Sequence, residues 1–197
     1  MKIDLVHDIQ TLYRKVVDAM SRPGVLSDLS AECNSVKEED GCYHSSLLLA
    51  LMLLDTEVTF HVVSHQGEAV KNRFYQLTYA KTAEIGEADF IFVTREAVNE
   101  DLKQVLSKAK VGELNDPHDS ALIIIEVDSL TEGHTLKLTG PGIKDENEVQ
   151  VSTDLAWLSL REQRNSDYPL GVDMVFVDAD HQMLCLPRTT KVLQQEV

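Results

Sequence analysis

Asp173 and Arg188 are the residues whose type and setting could handle an anion or a proton. Asp173 interrupts the apolar run Val172-Asp173-Met174-Val175-Phe176, and a carboxylate carried into a core must be hydrogen-bonded or paired. Arg188 sits in Leu186-Pro187-Arg188-Thr189-Thr190, where its planar fork could grip a phosphate or carboxylate bidentately, or close an ion pair inside the chain or at a subunit interface. Pairing of Arg188 with Asp173 is the expected internal arrangement, although strand alternation alone would equally let Asp173 face outward. A third feature is Thr139-Gly140-Pro141-Gly142-Ile143, which ends an apolar alternation with two glycines. Successive amides there could form a concave anion nest, short of the donor that Pro141 lacks, or simply a tight turn. Tyr168-Pro169-Leu170-Gly171 leads into Asp173 in a similar way.

Other chemistries lack their patterns. No Gly-x-Gly-x-x-Gly, no phosphate loop ending in Gly-Lys-Ser/Thr, no Gly-x-Ser-x-Gly elbow and no His-Glu-x-x-His helix occurs. His61 and His65 are spaced along a strand end too far apart to share a metal, and Asp178-Ala179-Asp180-His181-Gln182 reads as a solvated hairpin turn. Cys33, Cys42 and Cys185 include no Cys-x-x-Cys unit and read as reduced thiols, with Cys185 an inert part of the core. No metal site and no catalytic constellation is expected.

The 18 Lys and Arg against 33 Asp and Glu give a formal charge of -15, which repels nucleic acid and anionic membranes. The longest apolar run, Leu47 to Leu54, is too short to span a bilayer and reads as a buried helix. Met1 to Asp8 lacks the features of a secretion signal, so the chain is expected in the cytoplasm. At 197 residues a single domain over 1–197 is expected.

The elements that must position these residues alternate along the chain. Apolar residues from Leu5 to Met20 recur at helical spacing until Pro23 and Gly24, and a polar link runs from Ser27 to Gly41. Tyr43 to Leu54 reads as a core helix, Thr56 to Val63 as a strand, and Glu68 to Tyr79 as a helix. Ala88 to Val93 and Ala121 to Val127 are continuous apolar runs typical of strands buried on both faces, with a helix over Ala97 to Ala109 between them. His134 to Leu138 alternates as a half-exposed strand, and Asp154 to Arg164 forms a helix around Trp157. Gly171 to Val177 and Met183 to Leu186 form an antiparallel hairpin. The expected class is α/β, three layers with a mixed, partly parallel sheet.

Tyr13-Arg14-Lys15-Val16-Val17-Asp18-Ala19-Met20-Ser21-Arg22-Pro23-Gly24, the Leu-rich run at 47 to 55 and the C-terminal Pro-Arg-Thr-Thr together resemble the family of H subunits of bacterial carbon-phosphorus lyase, over almost the whole chain. The resemblance implies a cytoplasmic homodimer working with the G, I and J subunits in a core complex that degrades phosphonates. In that system ATP and a phosphonate are joined with loss of adenine, and a radical iron-sulfur subunit later breaks the carbon-phosphorus bond. It implies a fold similar to the large domain of pyridoxal-phosphate transferases without the cofactor, and no chemical step clearly this subunit's own. The Ser/Thr-x-x-Lys at Thr78 to Lys81 lies at a helix exit and is no Schiff-base lysine, and no cysteine cluster exists for an iron-sulfur centre. The family motif falls on Ser21, Pro23 and Gly24, on Gly140 and Gly142, on Pro169, Gly171 and Asp173, and on Pro187, Arg188, Thr189 and Thr190, lining either a ligand pocket or a subunit seam. The alternative role these positions leave open is phosphonate or nucleotide-phosphate binding through Arg188 and the Gly140–Gly142 turn.

Overall fold

A computed structural model describes residues 5–33 and 41–194, with the side chains of Leu5 and Val6 excepted. The elements run α1 (Leu5–Ser21), β1 (Ser27–Asp28), α2 (Ser30–Cys33), α3 (His44–Leu53), β2 (Thr59–Val63), α4 (Gly67–Thr78), β3 (Lys81–Thr82), β4 (Phe90–Val93) and α5 (Val98–Lys108). They continue with β5 (Leu122–Glu126), β6 (His134–Thr139), β7 (Asn147–Val151), α6 (Leu158–Arg164), β8 (Asp173–Val177), β9 (Gln182–Leu186) and β10 (Lys191–Gln194). The class is α/β, as the alternation implies.

A seven-stranded sheet has the order β1-β9-β8-β5-β4-β2-β3. β3, β2, β4, β5 and β8 are parallel, and the hairpin partner β9 and then β1 add antiparallel. The apolar runs of β4 and β5 fill the middle because their side chains are covered on both faces. Ile91, Ile123, Ile125, Met174 and Phe176 pack toward α5, α6 and a small antiparallel sheet, β10-β6-β7. Phe92, Ile124 and Val175 point to the opposite face, against α1, α3 and α4. There Phe74 of α4 meets Phe92 edge-on with ring centres 4.8 Å apart.

The crossovers reverse between β2 and β4. From β2 the chain passes through α4 outward to β3, whereas from β4 it passes through α5, on the other face, to β5. Such a reversal leaves a crevice beyond the carboxyl ends of the strands.

Some element boundaries differ from the sequence reading. Thr56 and Glu57 form a turn, tied by the Asp55 side chain accepting from Glu57 N–H at 2.8 Å, so the strand starts at Thr59. The last helix starts at Leu158, because Asp154 accepts from Ala156 N–H (3.0 Å) in a separate turn. The Ser27 to Gly41 link contains β1 and α2; its residues 34–40 lie outside the described segments. Asp178 is not solvated: it is 1% exposed, and its carboxylate accepts from Leu130, Asp180 and Gln182 N–H groups, holding the β8–β9 hairpin against the segment after β5. Among the described residues no helix is long and apolar enough to cross a membrane.

Candidate functional site: a motif seam and a cleft at the strand ends

The family-motif positions, up to 169 residues apart in sequence (21 to 190), collect along one internal seam between the exit of α1, the small sheet, α6 and β8–β9. Ser21 closes α1, its hydroxyl donating to Asp18 O at 2.7 Å, and Asn147 Nδ2 of β7 donates to Pro23 O at 2.8 Å. Gly24 lies against Asn147 and Leu138. The Gly140–Gly142 turn, closed by Ile143 N–H to Gly140 O (3.1 Å), seats on that exit. A Cβ at Gly142, whose φ is +83°, would stand 2.2 Å from Ser21 O and 2.9 Å from Pro23 Cδ. One at Gly140 would stand 2.9 Å from Thr189 O. Backbone is thus packed against backbone on both sides of the turn.

Arg188 completes the seam from the β9 side. Its Nε donates to Asp173 (3.2 Å to Oδ2), Nη2 to Asp173 Oδ2 (2.6 Å) and Ser120 Oγ (2.5 Å), and Nη1 to the carbonyls of Pro117 (3.0 Å) and Pro169 (3.2 Å). Its own amide also donates to Asp173 Oδ1 at 2.6 Å. The expected Asp173–Arg188 pair is present, and all five guanidinium N–H groups have acceptors within the chain. Gly171 lies against Asn165 and the Arg188 side chain, and the Tyr168–Pro169 peptide is cis.

Arg161 of α6, 3% exposed, is the seam residue that sequence reasoning missed. It donates to Thr190 O (3.0 Å) and Pro187 O (2.8 Å), fixing the backbone of the Pro-Arg-Thr-Thr motif from behind. Burial lowers its guanidinium to about 10, partly offset by Asp173. The available signal was its spacing: Arg161 is four residues after buried Trp157, on the same inward helix face.

A second concentration of polar groups, also missed, lies at the crevice beyond β4 and β5. Glu126 ends β5 at 3% exposure. Its Oε1 accepts from Tyr43 N–H at 2.6 Å and its Oε2 from Arg95 N–H at 3.4 Å, bracing the start of α3 against the loop after β4. The Arg95 guanidinium lies 5.7 Å over the Tyr43 ring. Glu96 accepts from the Ser64 hydroxyl at 2.6 Å, and His181, at φ +62° in the β8–β9 turn, stacks on His44 with ring centres 6.1 Å apart. The cleft between these groups has a volume of about 570 Å³. Its signal was the single carboxylate closing Leu122-Ile123-Ile124-Ile125-Glu126, a charge that the core must answer. The described residues lining the cleft include no lysine, so a Schiff-base cofactor does not fit it. Among the described residues no three His, Cys, Asp or Glu side chains converge to hold a metal: His61 Nδ1 instead pairs with Ala83 O at 2.6 Å. The three cysteines are free thiols, and burial pushes Cys185 and Cys33 up to about 12.

Residues 3–193 match the family model of the bacterial phosphonate metabolism protein PhnH. The chain belongs to that family. It is 29% identical over 184 residues, 93% of this chain and 85% of the relative, to HtxG of Stutzerimonas stutzeri, a protein assigned by name as a C-P lyase subunit. It is 28% identical over 192 residues, 96% of this chain and 92% of the relative, to the alpha-D-ribose 1-methylphosphonate 5-triphosphate synthase subunit PhnH of Rhizobium meliloti (strain 1021).

Glu126 gives this member of the PhnH family a distinctive pH response. Burial is the largest influence and pushes its carboxyl up from 4.5 to about 7, against the hydrogen bonds donated by the Tyr43 and Arg95 amides. The folded chain therefore binds this proton more tightly than the unfolded chain does. Stability from this group is full below about pH 4.5 and is lost as pH rises through about 7. The loss is about 3 kcal/mol at 1.36 kcal/mol per unit. Urea unfolding between these two pH values should show the decline, and Glu126→Gln should flatten it.

Proposed function

We propose that this chain is a non-catalytic subunit of a carbon-phosphorus lyase complex required for phosphonate breakdown, acting in the cytoplasm as a homodimer bound to the G, I and J subunits. The observation that carries this reading is the family match from residue 3 to 193, together with two relatives named as subunits of this system. The geometry supports the non-catalytic part. Arg188, the best sequence candidate for gripping a substrate, has every side-chain donor engaged by Asp173, Ser120 and two carbonyls. The motif glycines Gly140 and Gly142 abut other backbone segments of the same chain, and Gly24 and Gly171 abut its side chains. The proposal extends to a fold similar to the large domain of pyridoxal-phosphate transferases, without the cofactor site; the mainly parallel sheet with helices on both faces supports it.

Exposed apolar side chains support docking. Tyr13 (59% exposed) and Val17 (48%) lie one turn apart on the outer face of α1, and Tyr75 and Tyr79 project together from α4. Tyrosine is enriched at protein interfaces because its ring adds contact area while its hydroxyl tolerates water. Co-expression with the G, I and J subunits, with an affinity tag on one of them, should bring this chain down in stoichiometric amount. Recovery of the tagged complex without it would refute the proposal.

A further inference from the structure

The cleft beyond β4 and β5 gathers donors that make no ion pair among the described residues, with the Arg95 guanidinium resting against Tyr43. Arg95 makes no ion pair among the described residues, in a chain where 33 acidic residues compete for 18 basic ones. Other cations of the fold are engaged: Arg188 by Asp173, Lys110 by Asp89 and Lys15 by Glu32. Facing the same space, the Tyr43 hydroxyl is buried without a hydrogen bond of proper geometry, as is His181 Nδ1. Tyr43 is also the N-cap of α3 and offers no side-chain cap, while the Ser45 hydroxyl in the first turn is wholly buried and unpartnered. The ten-residue α3 starts here without a side-chain cap from Tyr43, and the Glu126 carboxylate accepts from the Tyr43 amide at that start.

We propose that this cleft binds a tetrahedral phosphorus oxyanion, the head of a small phosphonate or phosphate monoester, between the Arg95 guanidinium, the Tyr43 hydroxyl, His181 and the first turn of α3. A guanidinium forks onto two such oxygens, and hydroxyl and ring N–H donors complete a tetrahedral group that no planar carboxylate would fill. The volume of about 570 Å³ leaves room for an organic substituent beyond the head group. The location, next to the crossover reversal of a mainly parallel sheet, is where ligands of such sheets bind. Three carboxylates bear on the site: Asp128 acts on Arg95 and Tyr43 through its charge, and Glu96 and Glu126 border the cleft without filling it. Glu96 is turned to Ser64, which with its surroundings keeps it below the usual range, and Glu126 faces the Tyr43 and Arg95 amides. The choice of phosphorus over other tetrahedral anions rests on the phosphonate role proposed above; the anion site itself rests on the geometry alone.

The test is calorimetric titration of the full chain at pH 6.5 with methylphosphonate and, separately, with inorganic phosphate. Saturable binding within about 10 mM of either ligand is expected, with weakening of about tenfold or more in Arg95→Gln and a smaller loss in Tyr43→Phe, which removes only the hydroxyl. Arg14→Gln, on α1 away from the cleft, should bind as the parent does. Tighter binding of methylphosphonate would identify the phosphonate as the source, and equal binding a general phosphate-type site. Absence of saturation with both ligands overturns the proposal, as does parental affinity in a folded Arg95→Gln; if Arg95→Gln fails to fold, parental affinity in Tyr43→Phe overturns it. Because the titration uses the isolated chain, its failure is distinguishable from failure to join a complex.

Discussion

Gly142→Ala should destabilise the chain by about 3–5 kcal/mol, the range reached when overpacking and a strained backbone combine. The residue sits at φ +83°, where an L side chain is already unfavourable, and its new Cβ would lie 2.2 Å from Ser21 O. That neighbour is backbone at the end of α1, anchored in turn by Asn147 Nδ2 on Pro23 O, so it cannot rotate aside as a flexible side chain could. Relief would require lifting the turn from α1 and opening the seam. Gly67→Ala provides the contrast: its Cβ would meet nothing nearer than 3.8 Å, in the first turn of α4. Urea unfolding of the two variants should give a large loss for the first and a neutral or slightly favourable change for the second. A Gly142→Ala chain within about 1 kcal/mol of the parent would show that the turn does not bear on α1 as described.

Arg188→Ala should cost a comparable amount, about 3 kcal/mol, toward the lower end of the range for removing one partner of a buried ion pair because both side chains keep some contact with water. Truncation leaves Asp173 with the Arg188 amide as its remaining donor from this loop, and it strips the Pro117 and Pro169 carbonyls and the Ser120 hydroxyl of their partner together. Arg188→Lys should recover only part, since an ammonium can face Asp173 but cannot span to both carbonyls. Combining Arg188→Ala with Asp173→Asn should cost less than the sum of the single changes, and additivity would contradict the pairing. Neither loss requires a ligand.

What the sequence disclosed depended on whether the signal was local. The apolar runs of β4 and β5 announced strands covered on both faces, and the Val177 to Met183 turn announced a hairpin, because period and turn chemistry lie within a few residues. β7 escaped notice because its alternation, Asn147-Glu148-Val149-Gln150-Val151, holds only two apolar residues after the charged stretch 144–146. β10 escaped for a similar reason: Lys191–Gln194 lies at the sheet edge, exposed on most of its length, and needs no apolar face. The seam glycines were legible as positions of unusual backbone, but not their targets. Ser21 and Gly142 are neighbours only through tertiary packing, and the Pro23–Asn147 hydrogen bond spans 124 residues. For the same reason Asp173 could be matched with Arg188 as opposite charges near two strand ends, while Pro117 and Ser120, the other acceptors, could not. At the cleft, Tyr43, Arg95 and Glu126 come from the start of a helix, a loop and a strand end, and nothing local to any one of them points to the other two.

Whether this chain does its work as an integral part of a phosphonate-degrading assembly is tested most directly by native mass measurement of the particle purified through a tagged I subunit after co-expression with G, J and this chain. The account predicts one species whose mass includes this chain in equal number with its partners, and loss of its mass when the Gly142→Ala form is supplied. A complete G, I and J particle of unchanged mass in the presence of the folded chain, with this chain recovered separately, would contradict it.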